Sequence, residues 1–220
     1  MTDSELAASR SLMERAGIEM NSRPDLIFIS EQVPDGASVL DLGCGDGLLL
    51  QWLRDTKDCS VFGVEIDEDE VIETIARGIP VLCHDLDEGL EMFEDSSYDI
   101  VVLSSTLMQV KSPGKLMDEM LRIGKTIIVT YPNFAYWKIR SYLLLRGRMP
   151  VGSTIPYTWH QTPNIHHTTL KDFRDFTEEF GASILSESYL KHDSNGVLKE
   201  VSFAPNMRAE TVITVIKSNR

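Results

Sequence analysis

A glycine-rich turn at residues 41–47 is the first feature of this sequence whose residue types could bind a ligand. Gly43, Gly45 and Gly47 follow Asp41 with the spacing D-x-G-x-G-x-G. Glycine lets a backbone turn sharply and approach a ligand closely, because no Cβ intervenes. Tight glycine turns are common before helices, so the ligand has to be identified from the side chains that accompany this one.

Acidic residues follow the ends of three successive predicted strands. Glu65 closes the second strand, where a carboxylate can accept hydrogen bonds from both hydroxyls of a ribose. Asp85 follows the third strand and can accept from an adenine amino group, whereas Asp41 ends the first and can meet an ammonium group directly or through water. Each acid would also be stable as a solvated strand-end residue. Their conjunction indicates a ligand that combines adenosine with an amino acid.

The spacing of the glycines separates two classes of ligand. A dinucleotide site has the spacing G-x-G-x-x-G, in which a helix amino terminus faces a pyrophosphate. Asp46 lies inside the present turn and would oppose a phosphate, whereas a ligand with a sulfonium and an ammonium tolerates it. The turn therefore favours S-adenosylmethionine, or S-adenosylhomocysteine, over NAD. The predicted cofactor-binding residues are Asp41, Gly43, Gly45, Gly47, Glu65, Ile66, Asp85, Leu86 and Ser104.

Alternating strand and helix patterns position these residues. Strands are predicted at 37–40, 60–65, 80–83, 98–103 and 126–131, with helices at 48–55, 68–77 and 113–123. This alternation predicts an α/β fold with a doubly wound, mostly parallel sheet and helices on both faces. The tail predicts a helix at 169–180 and then strands at 182–190 and 210–217, which indicates a C-terminal antiparallel hairpin at the sheet edge.

Length and composition favour a single domain over residues 1–220, with 42% apolar residues. Within it we expect an N-terminal helical segment at 1–32, in which Pro24 marks a break or a new helix start, and an insertion or lid at 134–168. A formal charge of −13 disfavours a nucleic-acid partner. The sequence has no signal-peptide pattern and no apolar stretch of about 18 residues, so we expect a cytoplasmic protein without a membrane partner.

Three cysteines, Cys44, Cys59 and Cys83, lie in or beside predicted strands. They form no C-x-x-C pair and have no histidine at ligand spacing. This pattern predicts reduced thiols, with neither a disulfide framework nor a metal site.

Several segments resemble a known family. Val39–Gly47 and Gly63–Asp67 resemble the first two motifs of class I methyltransferases, which have a Rossmann-like fold. Less generic segments are similar to one branch of these proteins, the methionine-biosynthesis protein MetW family: His84–Leu90, Tyr131–Phe134, Leu145–Pro150 and Thr162–His166. The resemblance implies a methyltransferase-like protein that binds S-adenosylmethionine and works with homoserine O-acetyltransferase in methionine synthesis.

A catalytic base is expected just after the fourth strand, where the chain reads Ser104-Ser105-Thr106-Leu107-Met108-Gln109 without an acid or a cysteine. Histidine titrates near neutral pH, which makes His166 a candidate base for a small-molecule acceptor. Alternatively, His166 and His167 only precede the helix that begins near Thr169, with Thr168 as its N-cap. No catalytic residue is assigned. Adjacent histidines cannot easily converge on one ion, so no metal site is predicted.

The segment after the fifth strand is unusually apolar, with Trp137, Tyr142 and the leucines at 143–145. It could pack as core or lid, or it could dock a partner protein, since aromatic residues and arginine are enriched at interfaces. The basic residues around it form either a solvated helix face or a binding patch: Lys138, Arg140, Arg146 and Arg148. Two functions remain open, an active methyltransferase on a small metabolite and an accessory protein that senses S-adenosylmethionine while binding homoserine O-acetyltransferase.

Overall fold

A single eight-stranded sheet runs through the protein, whose computed structural model describes residues 16–152 and 155–219. The strands lie in the order β3-β2-β1-β4-β5-β8-β6-β7. They are β1 Ser38–Leu42, β2 Ser60–Glu65, β3 Val81–Cys83, β4 Tyr98–Ser104, β5 Gly124–Pro132, β6 Ala182–His192, β7 Leu198–Glu200 and β8 Thr211–Ser218. The first five pair in parallel, and β8 pairs antiparallel with both β5 and β6. The predicted α/β fold with a mostly parallel sheet is confirmed.

The helices alternate with the parallel strands as the sequence pattern predicts. They are α1 Pro24–Gln32, α2 Leu48–Lys57, α3 Glu68–Ala76, α4 Pro113–Ile123, α5 Trp137–Arg146, α6 Leu170–Glu179 and α7 Pro205–Arg208. Residues 16–22 are also helical, and Pro24 begins α1 as a new helix. The part of the predicted N-terminal helical segment before residue 16 lies outside the described residues. None of the helices in the described ranges combines the length and the apolar character needed to cross a bilayer.

The C-terminal strands differ in detail from the predicted hairpin. β8 lies between β5 and β6, and the additional strand β7 pairs with β6 beyond it. The short helix α7 separates β7 from β8. Both missed elements are only three or four residues long, which is too short for a periodic pattern of apolar residues.

Both faces of the sheet are buried, which explains why its central strands are nearly continuous apolar runs. On one face, Leu40 and Leu42 pack with residues of α4 and α6. On the other, Val39 packs with residues of α1 and α2. Because side chains alternate along a strand, Asp41 points to the same face as Val39.

The direction in which the strands are added reverses between β1 and β4. From β1 the chain proceeds to β2 and β3 on one side, and then to β4 and β5 on the other. Open α/β sheets bind ligands outside the carboxyl ends of their strands at this switch point. The glycine turn, which directly follows β1, lies there.

Candidate functional site

A cavity of about 480 Å³ lies at the switch point. Its floor is the end of β1 with the glycine turn, together with Ser104 at the end of β4. Glu70 and Glu73 of α3 line one side, and residues of the helical segment before α1, together with Arg23, line another. The cavity is therefore built from the predicted motif and from an N-terminal segment.

The glycine turn needs glycine because of both its backbone conformation and its close contacts. Gly43, Gly45 and Gly47 have φ values of +77°, +55° and +75°, a region that favours glycine. A Cβ at Gly43 would collide with the Thr106 side chain, and one at Gly47 would lie 2.9 Å from Thr74. The turn is packed closely from behind, and the backbone N–H groups of Gly43, Gly45 and Gly47 donate to other groups of the protein.

Glu65 connects the glycine turn to the end of β2. One of its carboxylate oxygens accepts a hydrogen bond of 2.8 Å from the backbone N–H of Gly45. The other accepts from the N–H groups of Ile66 and Asp67, at 2.8 and 3.1 Å. A carboxylate has about four lone-pair sites, so Glu65 is held in one orientation and can still accept from a ligand.

Asp41 is buried at the base of the cavity with only 2% of its surface exposed. Its Oδ1 atom has no hydrogen-bond partner within the described part of the chain. Burial, followed by the charge of Glu65, raises the pKa of Asp41 to about 8. A buried carboxylate without a partner is costly, and a cation in the cavity would supply that partner.

Two arginines bring positive charge to this acidic cavity. Arg77 is fully engaged, because it contacts Asp46 at 2.6 Å, Glu19 at 2.8 Å and the Gln51 side chain at 2.9 Å. Arg23 forms two hydrogen bonds with its half-buried neighbour Asp25 among the described residues, and its side chain is 53% exposed. Of these two arginines, Arg23 is the one with donors left for a ligand.

The charge of Asp46 is balanced by Arg77, and its other oxygen accepts from the backbone N–H of Leu48. Asp46 thus binds the first backbone N–H of α2, whose N-cap is Gly47, whereas the sequence predicted that it would oppose a phosphate. The carboxylates of Asp41 and Glu65 supply the negative charge that would oppose a phosphate instead.

The remaining predicted cofactor residues lie at the neighbouring strand ends. The register of β2 with β3 pairs Glu65 with Cys83, so the residues that follow both strands share one edge. Ile66 is 60% exposed there, and Leu86 is half-buried. Asp85 accepts a hydrogen bond from Asp87 through one oxygen, which begins a short turn of 3-10 helix. This edge is an open surface beside the cavity.

His166 lies in a second, largely apolar groove of about 230 Å³ between α4 and α6. Leu107 and Phe173 line the same groove. The Nε2 atom of His166 is buried and has no hydrogen-bond partner in residues 16–152 and 155–219. The cavity and the groove are both lined by residues at or after the end of β4, Ser104 in the first and Leu107 in the second.

The other histidine and the helix cap are placed differently from the sequence argument. His167 stacks on Phe134 with ring centroids 4.6 Å apart, and burial lowers its pKa. The N-cap of α6 is Thr169, which forms a reciprocal capping box with Asp172. The prediction of Thr168 as the N-cap is therefore wrong by one residue, because only Thr169 has the matching acid three positions later.

Arg23 and Arg77 were missed by sequence reasoning. Pro24 is the one sequence signal for Arg23. Proline favours the first position of a helix, which places Arg23 at the start of α1. Arg77 reaches the turn across 31 residues of sequence, through its contacts with Asp46. No local pattern encodes such a contact.

Several solved structures share this fold. A chain of the Haloferax volcanii complex that contains the Trm112 methyltransferase activator is 19% identical, with 94% of this chain and 95% of that chain covered and a TM-score of 0.65. A SAM-dependent methyltransferase from Archaeoglobus fulgidus is 14% identical, with 94% of both chains covered and a TM-score of 0.64. At these identities the likeness shows a shared fold.

Sequence comparison identifies the family. The bifunctional methionine biosynthesis protein MetXA/MetW of Rhodopirellula baltica is 38% identical over 202 residues, which are 87% of this chain and 32% of that protein. The chain thus spans about a third of the length of this relative. Residues 23–216 match the profile of the family described as methionine biosynthesis protein MetW. The chain belongs to the MetW family.

Proposed function

We propose that this protein binds S-adenosylmethionine in the cavity at the glycine turn and acts with homoserine O-acetyltransferase in methionine biosynthesis. The observation that carries the cofactor assignment is the buried, unpartnered carboxylate of Asp41 at the base of the cavity. A ligand with a cationic or hydrogen-bond-donating group would compensate the cost of burying it.

The amino-acid part of the cofactor carries two opposite charges. Its ammonium would pair with Asp41 and favour the ionised form of that carboxylate. Its carboxylate would pair with Arg23, whose guanidinium presents several donors at the rim of the cavity. Because the turn is rich in glycine, the carbon atoms of the ligand between these two charges can approach the protein backbone closely.

The adenosine part would extend over the neighbouring edge of the sheet. Glu65 already accepts three hydrogen bonds, so its remaining lone-pair site would accept from one ribose hydroxyl. Ile66 and Leu86 would cover the faces of the adenine ring, which gives the exposed Ile66 side chain an apolar contact. The second oxygen of Asp85 would accept from the adenine amino group.

The partner assignment is supported by the family and by one relative. That relative is a bifunctional MetXA/MetW protein, in which both parts belong to one chain. The family resemblance implies homoserine O-acetyltransferase as the protein with which a MetW chain works. An accessory role is consistent with the segment after β4, Ser104 to Gln109, which lacks an acidic or cysteine side chain.

An active methyltransferase on a small metabolite is the second candidate function. One observation favours it, the unpartnered Nε2 atom of His166 in the groove beside the segment after β4. A histidine in that state could accept a proton from an acceptor group during methyl transfer. This function predicts methyl release from labelled S-adenosylmethionine in a metabolite extract and loss of turnover, with retained cofactor binding, in His166→Ala.

Calorimetric titration with S-adenosylmethionine and S-adenosylhomocysteine tests the cofactor proposal. Asp41→Ala and Arg23→Gln each remove one charge-assisted contact, typically worth about 1.5–3 kcal/mol, so affinity should fall about 10- to 100-fold. Glu65→Ala should have a larger effect, because it also releases the Gly45 end of the turn. Asp35→Asn, an exposed change in another turn, is the matched control.

Purified homoserine O-acetyltransferase separates the two functions. An accessory protein co-purifies with the acetyltransferase and changes its activity without consuming methyl groups. A methyltransferase consumes them without the partner. If wild-type protein bound neither S-adenosylmethionine nor S-adenosylhomocysteine, the common premise of both functions would be lost.

A further inference from the structure

The helix α5 exposes apolar side chains that the fold does not use. With 3.6 residues per turn, Trp137, Leu144 and Leu145 lie on the side of the helix opposite Ile139, and Ile139 is the residue of α5 that is buried. Leu144 and Leu145 are 85% and 78% exposed. The core and lid interpretations of this segment therefore account for only one side of the helix.

Val151, in the segment after α5, extends this surface, because it lines one pocket together with Tyr142 and Ile139 of the helix. We call the surface formed by Val151 and by the exposed side of α5 the α5 surface. Its apolar members are Trp137, Tyr142, Leu144, Leu145 and Val151. Exposed apolar side chains grouped on a folded protein in this way mark an interaction site.

A pocket of about 170 Å³ opens between α5 and the following segment. Ile139, Tyr142 and Val151 line it. Glu210 also lines it, but its charge is already paired with the Nδ1 atom of His192 at 2.8 Å. The pocket is large enough for one aromatic or aliphatic side chain, which is how interfaces commonly anchor a partner.

The charge of the α5 surface is opposite to that of the whole chain. Residues 120–171 contain no Asp or Glu, although the chain has 34 of them and a formal charge of −13. Four exposed cations surround the apolar side chains: Lys138, Arg140, Arg146 and Arg148. A cationic surface of this kind attracts an acidic face and repels other cationic surfaces.

We propose that the α5 surface is where this protein docks its partner enzyme, through an acidic face of that enzyme that inserts an aromatic or aliphatic side chain into the pocket beside α5. The inference rests on the partnership in the proposed function and adds its location. A protein is the favoured occupant, because the pocket beside α5 is of a size to take one side chain. The bifunctional relative also joins a MetW part to a second protein part.

The test compares binding of purified homoserine O-acetyltransferase to wild-type and variant full-length chains by surface plasmon resonance. Leu144→Ser with Leu145→Ser removes two highly exposed side chains and should weaken binding at least tenfold. Arg146→Glu with Arg148→Glu should weaken it similarly and reduce its dependence on salt, since the lost contacts are ionic. Leu185→Ser and Lys217→Glu change exposed residues of β6 and β8 and are the matched controls.

The outcomes are distinguishable from each other. Calorimetric affinity for S-adenosylmethionine should be unchanged in all these variants, which shows that they fold. Variant affinities within twofold of wild type would overturn the location while leaving the partnership intact. Absence of wild-type binding would overturn the partnership and the location together. If the variants lost self-association instead of acetyltransferase binding, the surface would be assigned to a second copy of the chain. If they lost binding to phosphatidylserine vesicles instead, it would be assigned to a membrane.

Discussion

Asp41, which we propose as a binding residue, works against the stability of its own fold. It is the penultimate residue of β1 and is buried, and its Oδ1 atom has no partner in the described ranges. Sequence position alone predicted a carboxylate at this strand end. The structure adds that the carboxylate is desolvated, which raises its pKa and leaves the ligand-free protein with an unfavourable group.

This cost predicts a pH-dependent effect of Asp41→Asn on stability. The pKa of Asp41 is about 8 in the fold and 3.8 in its ordinary state. Between these values the folded chain holds a proton that the unfolded chain has released, so the free energy of unfolding falls as pH rises. The slope reaches about 1.4 kcal/mol per pH unit. Asparagine does not titrate, so the variant should gain stability over wild type progressively from about pH 5 to pH 8.

Urea unfolding of both proteins across that range measures the difference. The exposed change Asp35→Asn should give a curve parallel to that of wild type. A constant difference between Asp41→Asn and wild type at all pH values would mean that Asp41 is ionised in the ligand-free fold. The same variant should bind S-adenosylmethionine poorly, so gain of stability and loss of binding would come from one atom.

At the scale of the elements, the N-cap of α6 fixes where this helix begins between the sheet and the groove that contains His166. Thr169 caps the helix, accepting from the N–H of Asp172 at 3.2 Å, while the Asp172 carboxylate accepts from the Thr169 N–H. Phe173 in the first turn of α6 packs against Tyr131 of β5 with ring centroids 4.4 Å apart. The position of the cap thus sets the position of the groove.

Replacement of the cap should therefore be measurable. Thr169→Ala should lower the free energy of unfolding by about 1 kcal/mol, the usual value of an N-cap side chain. Thr168→Ala is a matched control one residue earlier, and it should change stability much less, because Thr168 only donates to the Thr169 carbonyl at 3.3 Å. Equal losses in the two variants in thermal or urea unfolding would contradict this assignment of the cap.

Local patterns predicted the elements that bury apolar residues with a clear period. The strand at 60–65 and the helix at 113–123 have the predicted bounds. The insertion of β8 between β5 and β6 was not predicted, because strand order depends on contacts between distant residues. The candidate site was only partly predicted for the same reason. Glycine spacing indicated the turn, but Arg23 and Arg77 reach it from other parts of the chain.

At the scale of the whole molecule, the described residues form two surfaces of opposite charge. The cavity is rich in carboxylates, which would suit a cationic group, and Arg23 also lines it. The α5 surface is cationic and free of acids over residues 120–171. Composition alone averages the two into one net charge of −13, which conceals the second surface. A sheet with buried faces holds both surfaces in fixed positions.

The uneven burial of the three free thiols has a practical consequence. Cys44 and Cys59 are buried, and burial raises the pKa of each. Cys83 is exposed at the end of β3, with its Sγ atom 3.8 Å from the carbonyl oxygen of Ile66. Because thiolates react with alkylating agents and thiols do not, Cys83 should be modified by iodoacetamide much faster than the other two.

Adenine bound over Ile66 should shield Cys83 and slow its alkylation, while Cys83→Ser should remove the fast phase altogether. Mass spectrometry of the alkylated peptides gives the rate at each site. Comparable rates at all three cysteines, or a rate at Cys83 that saturating S-adenosylmethionine leaves unchanged, would argue against this placement of the adenine. If S-adenosylmethionine does slow the alkylation of Cys83, this cysteine is a built-in footprinting probe. Occupancy of the adenosine edge can then be followed without an added label.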